Sequence, residues 1–192
     1  MRKKLLSTML VAVFSISISG IANAQEPEMP TASPEHAVLK KDRGAWDCKM
    51  KMWMGPGDPE ESTGSETNKM VGDFWLISSF KGTFGGMDFT GSGTMGYDPK
   101  TKKYVGTWVD SMTPTVTHMS GTFDKKTQTM TLMGEGMGAD GGPMKTKNVT
   151  VYKDDGSRVM TMYTAMPGSD EMMKTLEIIY TKRAKKKKSE SK

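Results

Sequence analysis

Apolar and charged residues alternate over one nine-residue segment near the start of the chain. The apolar positions are Trp46, Cys48, Met50, Met52 and Met54, and the charged positions between them are Asp47, Lys49 and Lys51. Successive side chains of a β-strand point to opposite faces, so this spacing collects the tryptophan, the cysteine and three methionines on one face. The pattern predicts a strand with one buried and one solvated face.

Similar segments follow along the rest of the chain and are separated by turn sequences such as Asp98-Pro99-Lys100 and Asp154-Asp155-Gly156. We predict further strands at about 62–70, 73–82, 87–97, 102–110, 115–124, 128–135, 145–154, 157–165 and 172–182. Short sequential strands with tight turns favour an antiparallel meander, and closure into a barrel removes its open edges. The predicted fold is therefore all-β: a single antiparallel up-and-down barrel of about ten strands over residues 35–183.

A short helix is predicted before the first strand. Ser33-Pro34-Glu35-His36 has a capping serine, a proline at the first helical position and an acid in the first turn, and Gly44 limits the helix to about Arg43. We expect His36 to be an exposed residue of this helix, because a lone histidine without partners forms no site.

The N-terminus has the features of a secretory signal peptide. A basic start, Arg2-Lys3-Lys4, precedes an apolar run to about Ile21 and a small-x-small exit, Ala22-Asn23-Ala24. We predict a signal peptide over residues 1–24 that is cleaved after Ala24, a flexible proline-containing leader over 25–34, and a secreted or periplasmic product. No transmembrane segment is expected after signal cleavage, because no later apolar run has the required length.

Charge is distributed unevenly along the chain. The formal net charge is +5; the predicted signal holds three positive charges, and residues 182–192 hold seven positive charges and one negative charge. The body, residues 25–181, is consequently acidic with a net charge of −4. This excludes a uniformly basic face for specific nucleic-acid binding. The basic tail, residues 184–192, is expected to be disordered, and contact with an anionic surface is its alternative role.

Gly44-Ala45-Trp46, at the entry to the first predicted strand, resembles the Gly-x-Trp signature of lipocalin-like (calycin) barrels. In that superfamily a basic residue after the last strand packs on the tryptophan and closes the barrel base. The resemblance assigns this closing role to Lys182 or Arg183. A cation over an indole face contributes about 0.5–1 kcal/mol at an exposed site.

A closer resemblance is to a bacterial family of unknown function, number 1579. It covers about residues 36–183 and rests on the segments Gly44-Ala45-Trp46-Asp47, Lys51-Met52-Trp53-Met54-Gly55-Pro56-Gly57, Gly64-Ser65-Glu66-Thr67-Asn68, Gly96-Tyr97-Asp98, Lys103-Tyr104-Val105-Gly106-Thr107-Trp108-Val109-Asp110-Ser111-Met112 and Glu177-Ile178-Ile179-Tyr180-Thr181-Lys182. The family resemblance implies a secreted bacterial barrel and no established activity.

The chain is rich in methionine, with 20 residues in all. Alternate methionines suit the apolar face of a strand and an adaptable interior, and a thioether is also a soft ligand for Cu(I). Histidine and cysteine are nearly absent, so we predict no metal site and place Cys48 as a buried thiol. The predicted ligand-binding interior is lined by Trp46, Met50, Met52, Trp108, His118, Met160 and Met162.

Two catalytic or cofactor alternatives centre on His118. Haem ligation is known in barrels of the lipocalin-like superfamily, but Asp47-Cys48-Lys49-Met50 departs from the glycines of the haem-binding members, so no cofactor is predicted. Asp110, Ser111 and His118 supply a carboxylate, a hydroxyl and an imidazole, but no Gly-x-Ser-x-Gly elbow accompanies them.

The sequence therefore favours a secreted, non-enzymatic barrel that binds a small apolar or amphipathic ligand inside. A structural, envelope-associated module with a packed interior and a basic attachment tail is the second hypothesis. An enzyme that uses Asp110 and His118 at the barrel mouth is the third.

Overall fold

The computed structural model describes residues 29–138, 141–165, 169 and 171–184. The chain divides into an N-terminal unit, Met1–Thr31, and a second unit, Ala32–Lys192, which contains all the elements below. The predicted signal peptide, residues 25–28 of the predicted leader and residues 185–192 of the predicted tail lie outside the described residues. In the described part of the chain, no helix has the length and apolar character needed to cross a membrane.

Ten strands close into an antiparallel barrel, in which each strand pairs with its neighbours in sequence and β1 pairs with β10. The strands are β1 Gly44–Met52, β2 Glu60–Val71, β3 Trp75–Phe84, β4 Met87–Asp98, β5 Lys103–Asp110, β6 Thr117–Asp124, β7 Thr129–Met137, β8 Pro143–Tyr152, β9 Arg158–Ala165 and β10 Met172–Lys182. The predicted all-β, up-and-down barrel is confirmed. The first strand is shorter than expected: it ends at Met52, and Met54 lies beyond its end and is 84% exposed.

The pairing of β1 with β10 closes the barrel. Its register runs from Trp46 opposite Lys182 to Met52 opposite Leu176. One further backbone bond, from Arg183 N to Ala45 O at 2.8 Å, extends the ladder past the end of β10. The two strands whose edges would otherwise be open therefore satisfy each other, as the meander requires.

The buried side chains of the barrel form two clusters. One contains Trp46, Cys48, Met50, Phe80, Phe84, Ile178 and Tyr180. The other contains Val38, Leu39, Leu76, Tyr104, Met130 and Leu132. Trp46, Cys48 and Met50 share a cluster because alternate residues of β1 point to one face.

A short plug, residues 36–42, closes one end of the barrel. It consists of an α-helical turn, α1 His36–Leu39, and a 3-10 turn, Lys40–Asp42. Leu39 is only 1% exposed, and Tyr104 OH donates to the carbonyl of Glu35 at 3.0 Å. The partners of the plug lie near the β2–β3, β4–β5 and β8–β9 turns, which an up-and-down topology brings to the same end.

The prediction of an exposed His36 is wrong. The side chain is 4% exposed and makes edge contacts with Phe74 and Tyr97, at ring-centroid distances of 5.4 and 5.7 Å. The helix is also shorter than predicted, and no side-chain cap is seen at its start. Ser33 instead donates its backbone N–H to Nδ1 of His36 at 3.0 Å. The helix-start pattern predicts a helix but not its exposure, which is set by packing against the end of the barrel.

Strand β6 lies unusually close to β7 at Gly121. A Cβ atom at this position would lie 1.8 Å from the carbonyl oxygen of Thr131 and 2.8 Å from Cα of Leu132. The obstructing atoms belong to backbone, so they cannot move aside as the end of a side chain could. The absence of a side chain at Gly121 is therefore a condition for this pairing.

We predict that Gly121→Ala destabilises the barrel by about 1–3 kcal/mol, the usual cost of overpacking. Gly55→Ala is the matched control, because a Cβ there meets no atom within 4 Å. Urea unfolding followed by tryptophan fluorescence measures both free energies of unfolding. Equal stability of the two variants would contradict the close approach of β6 and β7.

Candidate functional site

The barrel encloses a cavity of about 590 Å³. Its wall is mainly apolar and includes Leu76, Phe80, Met95, Trp108, Met119, Met130, Leu132, Met144, Met160, Met162, Leu176 and Ile178. Ligand pockets of small molecules commonly have volumes of about 300–1,000 Å³ and apolar walls with a few polar groups. The cavity therefore has the size and surface of a site for a small organic molecule.

The cavity extends from the plug to the opposite end of the barrel. Leu39 and Asp42 of the plug line it at one end. At the other end it is lined by Met54 and Met112, which are 84% and 50% exposed. Because such exposed residues form part of its wall, the cavity reaches the protein surface at that end.

Asp42 ties the plug to four strands. Its carbonyl oxygen accepts hydrogen bonds from Trp46 Nε1 at 2.8 Å and from Asn68 Nδ2 at 2.9 Å. Its carboxylate accepts from Tyr152 OH at 2.8 Å and from Arg158 Nη1 at 2.5 Å. These partners come from β1, β2, β8 and β9, so Asp42 fixes the plug to much of the barrel circumference.

Arg158 is the only basic side chain of this floor network, which we define as Asp42, Glu66, Asn68, Tyr152 and Arg158. Its guanidinium pairs with Asp42 and also with Oε1 of Glu66. The guanidinium carbon lies 4.3 Å from the centroid of Trp46 and 4.1 Å from that of Tyr180. A planar, weakly hydrated guanidinium suits this combination of ion pairing and stacking.

The floor network holds more negative than positive charge. Burial raises the pKa of the Asp42 and Glu66 carboxyls, against the opposing attraction of Arg158. The pKa of Arg158 is raised by the same two carboxylates, despite its own burial. One guanidinium therefore faces two desolvated carboxyl groups, and with both ionised the floor network carries a net charge of −1.

Two amides of the cavity wall have unpaired oxygens. Oδ1 of Asn68 and Oδ1 of Asn148 are buried without a hydrogen-bond partner. The orientation of the Asn68 amide is fixed, because its nitrogen donates to two acceptors, the Asp42 carbonyl and Oε1 of Glu66. Buried polar atoms normally have partners, so these two oxygens are unsatisfied hydrogen-bond acceptors of residues that line the cavity.

The predicted interior residues divide into three groups. Met52, Trp108, Met160 and Met162 line the cavity. Trp46 and Met50 are buried in the barrel but pack beside the cavity rather than forming its wall. His118 belongs to neither group.

The expected interior position of His118 is corrected by the structure. His118 is exposed and lies between Thr117 and Met119, which both line the cavity. Side chains alternate along a strand, so His118 points away from the cavity. The register of β5 and β6 gives the same result, because it places His118 opposite Thr107 and the inward Trp108 opposite Thr117.

Asp110 lies at the open end of the cavity, and its carboxylate accepts hydrogen bonds from neighbouring residues of the same chain segment. Its Oδ2 accepts from Trp108 Nε1 at 3.0 Å, and its Oδ1 accepts from the backbone of Met112 and Thr113 at 2.9 and 3.0 Å. Asp110 therefore orients a wall residue and shapes the β5–β6 connection. The structure does not bring it together with His118.

The two residues considered for barrel closure have different contacts. Nζ of Lys182 lies 5.4 Å from the centroid of Trp46, which follows Gly44 by two residues at the start of β1. Arg183 instead donates to Asp47 on the exposed side, with its Nε at 2.9 Å from Oδ1. Trp46 thus has Lys182 as a peripheral cation and Arg158 as a buried one.

Sequence reasoning missed the floor network entirely. A usable signal was present, because Glu66 and Arg158 occupy inward-facing positions of their strands, where apolar residues are expected. Arg158, Met160 and Met162 share one face of β9. A charged residue at such a position predicts a buried partner of opposite charge, but sequence alone does not identify the partner.

Among the described residues, no group of three or more His, Cys, Asp and Glu side chains is arranged to hold a metal ion. Cys48 is 2% exposed, and burial raises the pKa of its thiol to about 12. It therefore stays a protonated thiol at neutral pH.

Fold and cavity together define a closed, ten-stranded antiparallel barrel with an internal cavity that is open at one end. The chain belongs to the family described as "Protein of unknown function (DUF1579)", whose model matches residues 31–182. The resemblance to this family is thereby confirmed. A comparison with curated proteins found no match.

Two solved structures are among those that are similar to this chain. The crystal structure of Rv2717c from M. tuberculosis matches with a TM-score of 0.59 and 10% sequence identity, over 80% of this chain and 100% of that one. A redesigned beta barrel, b11L5F_LGL, matches with a TM-score of 0.38 and 14% identity, over 77% of this chain and 96% of that one. At 10% identity, the similarity to Rv2717c supports the barrel fold and no more.

We predict that Arg158→Met strongly destabilises the protein at pH 7, by about 3–5 kcal/mol, because it leaves Asp42 and Glu66 buried without a cation. The destabilisation should shrink between pH 7 and pH 5. A carboxyl whose pKa is raised in the folded state lowers the free energy of unfolding as the pH increases through that pKa. Protonation of Asp42 and Glu66 at lower pH removes this loss of stability.

Thermal and urea unfolding of wild type and variant across this pH range measure the effect. Arg183→Met is the control, since it removes an arginine from an exposed ion pair and should change stability little at any pH. Equal losses in the two variants would contradict the buried position of the Arg158 pairs.

Proposed function

We propose that this protein is a non-catalytic barrel that binds a small apolar or amphipathic ligand in its interior. The main support for this proposal is the cavity of about 590 Å³, which has a mainly apolar wall and opens beside Met54 and Met112. An empty apolar cavity of this size is costly to maintain in a protein interior, since its lining loses dispersion contacts. A ligand that occupies it would restore those contacts.

Methionine supports this proposal through its flexibility. Met52, Met95, Met119, Met160 and Met162 all contribute to the cavity wall. Unbranched thioether side chains adapt to irregular shapes and favour contacts with aromatic rings. The wall is thus suited to ligands of varied outline rather than to one rigid molecule.

The envelope-associated alternative requires a packed interior and an attachment through the basic tail. The cavity does not favour such packing, and residues 185–192 of the tail lie outside the described part of the chain. The enzymatic alternative depends on Asp110 and His118, whose side chains lie on different faces of the sheet. Ligand binding is therefore the function that the geometry supports best.

We predict that filling the cavity weakens the binding of an uncharged, apolar fluorescent dye, a naphthylamine. Met52→Trp combined with Met160→Trp places two indoles in the cavity wall and should weaken binding at least about ten-fold, a loss of about 1.4 kcal/mol. Fluorescence titration of the uncharged naphthylamine probe gives the dissociation constants.

Met133→Trp combined with Met173→Trp is the matched control. Both methionines are exposed, at 46% and 43%, and neither lines the cavity. This control should bind the probe as wild type does. A similar affinity in all three proteins would show that the probe binds outside the barrel and would refute the proposal.

We also propose that the protein is exported to the periplasm or the exterior of the cell, with removal of residues 1–24. The support is the basic, apolar and small-residue pattern of the N-terminus. Expression of the full chain in a bacterial host, followed by fractionation and intact-mass measurement, should give an exported product that begins at Gln25. A cytoplasmic product that retains Met1 or Arg2 would contradict this proposal.

A further inference from the structure

The cavity has a chemically distinct end at the plug. Most of its wall is apolar, but Asp42, Glu66, Asn68, Tyr152 and Arg158 all line it there. An amphipathic ligand would therefore place its polar group against this floor network and its apolar part among the methionines and phenylalanines above. The properties of the floor network then determine which polar group fits.

We propose that the preferred ligand is an amphipathic molecule whose polar group donates hydrogen bonds and is neutral or cationic, such as a hydroxyl or an ammonium, and that carboxylates are disfavoured. This inference rests on the proposed function and specifies its ligand class. It depends on the charge balance of the floor network and on the hydrogen-bonding atoms that remain unpaired there.

Charge balance disfavours an anionic head group. The positive charge of Arg158 is already shared between Asp42 and Glu66, and the rings of Trp46 and Tyr180 lie within 4.3 Å of its guanidinium carbon. A carboxylate that approached this end would meet two carboxyl groups and one guanidinium. A carboxylate brought close to an ionised carboxyl in a desolvated site is repelled strongly, whereas an ammonium would compensate the charge of −1 that the floor network carries when both of its carboxyls are ionised.

The unpaired atoms of the floor network are acceptors. Asn68 is 3% exposed, and its Oδ1 has no partner, while its nitrogen is held by Asp42 and Glu66. Both bonds to Glu66 reach Oε1, so no hydrogen bond among the described residues reaches Oε2. A hydroxyl or an ammonium supplies the donors that these oxygens lack, and a carboxylate supplies none.

Three probes with the same ten-carbon chain test the proposal: decylamine, 1-decanol and decanoate. Each is titrated at pH 7.5 against the bound naphthylamine dye, below its aggregation concentration. We expect decylamine and 1-decanol to displace the dye at concentrations at least about ten-fold lower than decanoate. Their relative order distinguishes a cationic from a neutral head group.

Two variants locate the head group. Glu66→Gln preserves the shape of the side chain and removes one buried negative charge, so the ratio of decylamine to decanoate affinity should fall several-fold. Glu61→Gln is the matched control: it makes the same substitution on the same strand, but at an exposed residue paired with Lys51, and the ratio should not change. Asn68→Leu should weaken the binding of 1-decanol more than it weakens the binding of the dye.

The outcomes separate the two proposals. If wild type does not bind the dye, the proposed binding function fails, and if the dye binds but none of the three probes displaces it, the inferred ligand class is refuted. If all three displace it equally well, or if decanoate binds most tightly, the cavity binds ligands but the inferred head-group preference is refuted. Loss of the preference in Asn148→Leu, with the preference retained in Asn68→Leu and Glu66→Gln, would place the head group at Asn148 and overturn its assignment to the floor network.

Discussion

The salt bridge between Asp42 and Arg158 joins the two parts of this structure that must fit together, the plug and the closed barrel. Asp42 ends the 3-10 turn, and Arg158 begins β9, 116 residues later in the chain. Through its carbonyl and carboxylate, Asp42 also contacts Trp46, Asn68 and Tyr152. One residue thus positions the plug against four strands. Because the plug closes one end of the barrel, the same residue determines where the cavity ends and what polar groups it meets there.

Much of the fold follows from the sequence because strands carry a local pattern. The alternation from Trp46 onward, the turn sequences and the number of strand segments predict a ten-stranded meander, and the structure confirms it. Pairing of β1 with β10 was predictable from the need to satisfy two open edges. Met52, Trp108, Met160 and Met162 reach the cavity wall because each lies at an inward-facing position of its strand.

The positions of His118 and His36 were predicted wrongly for different reasons. Interior positions for both Trp108 and His118 are incompatible with the observed register, since His118 pairs with Thr107 and opposite residues share a face. The local pattern of β6 agrees with the register, because the apolar Met119 and Phe123 alternate with the polar His118, Ser120, Thr122 and Asp124. The interior placement of His118 therefore misread a signal that the sequence contains. His36 is buried by Phe74 and Tyr97, which are distant in sequence, so a helix-start pattern carries no information about its burial.

The floor network was the least predictable feature, and it is also the feature that gives the cavity chemical character. Arg158 interacts with residues 92 and 116 positions away, and such long-range pairs have no local sequence signature. Buried ion pairs of this kind seldom add net stability, because desolvation offsets much of the attraction. An apolar floor would serve a purely structural barrel at least as well. Two carboxyl groups, one guanidinium and an unpaired Asn68 oxygen therefore lie at the end of an apolar cavity, and the proposed head-group preference rests on this combination.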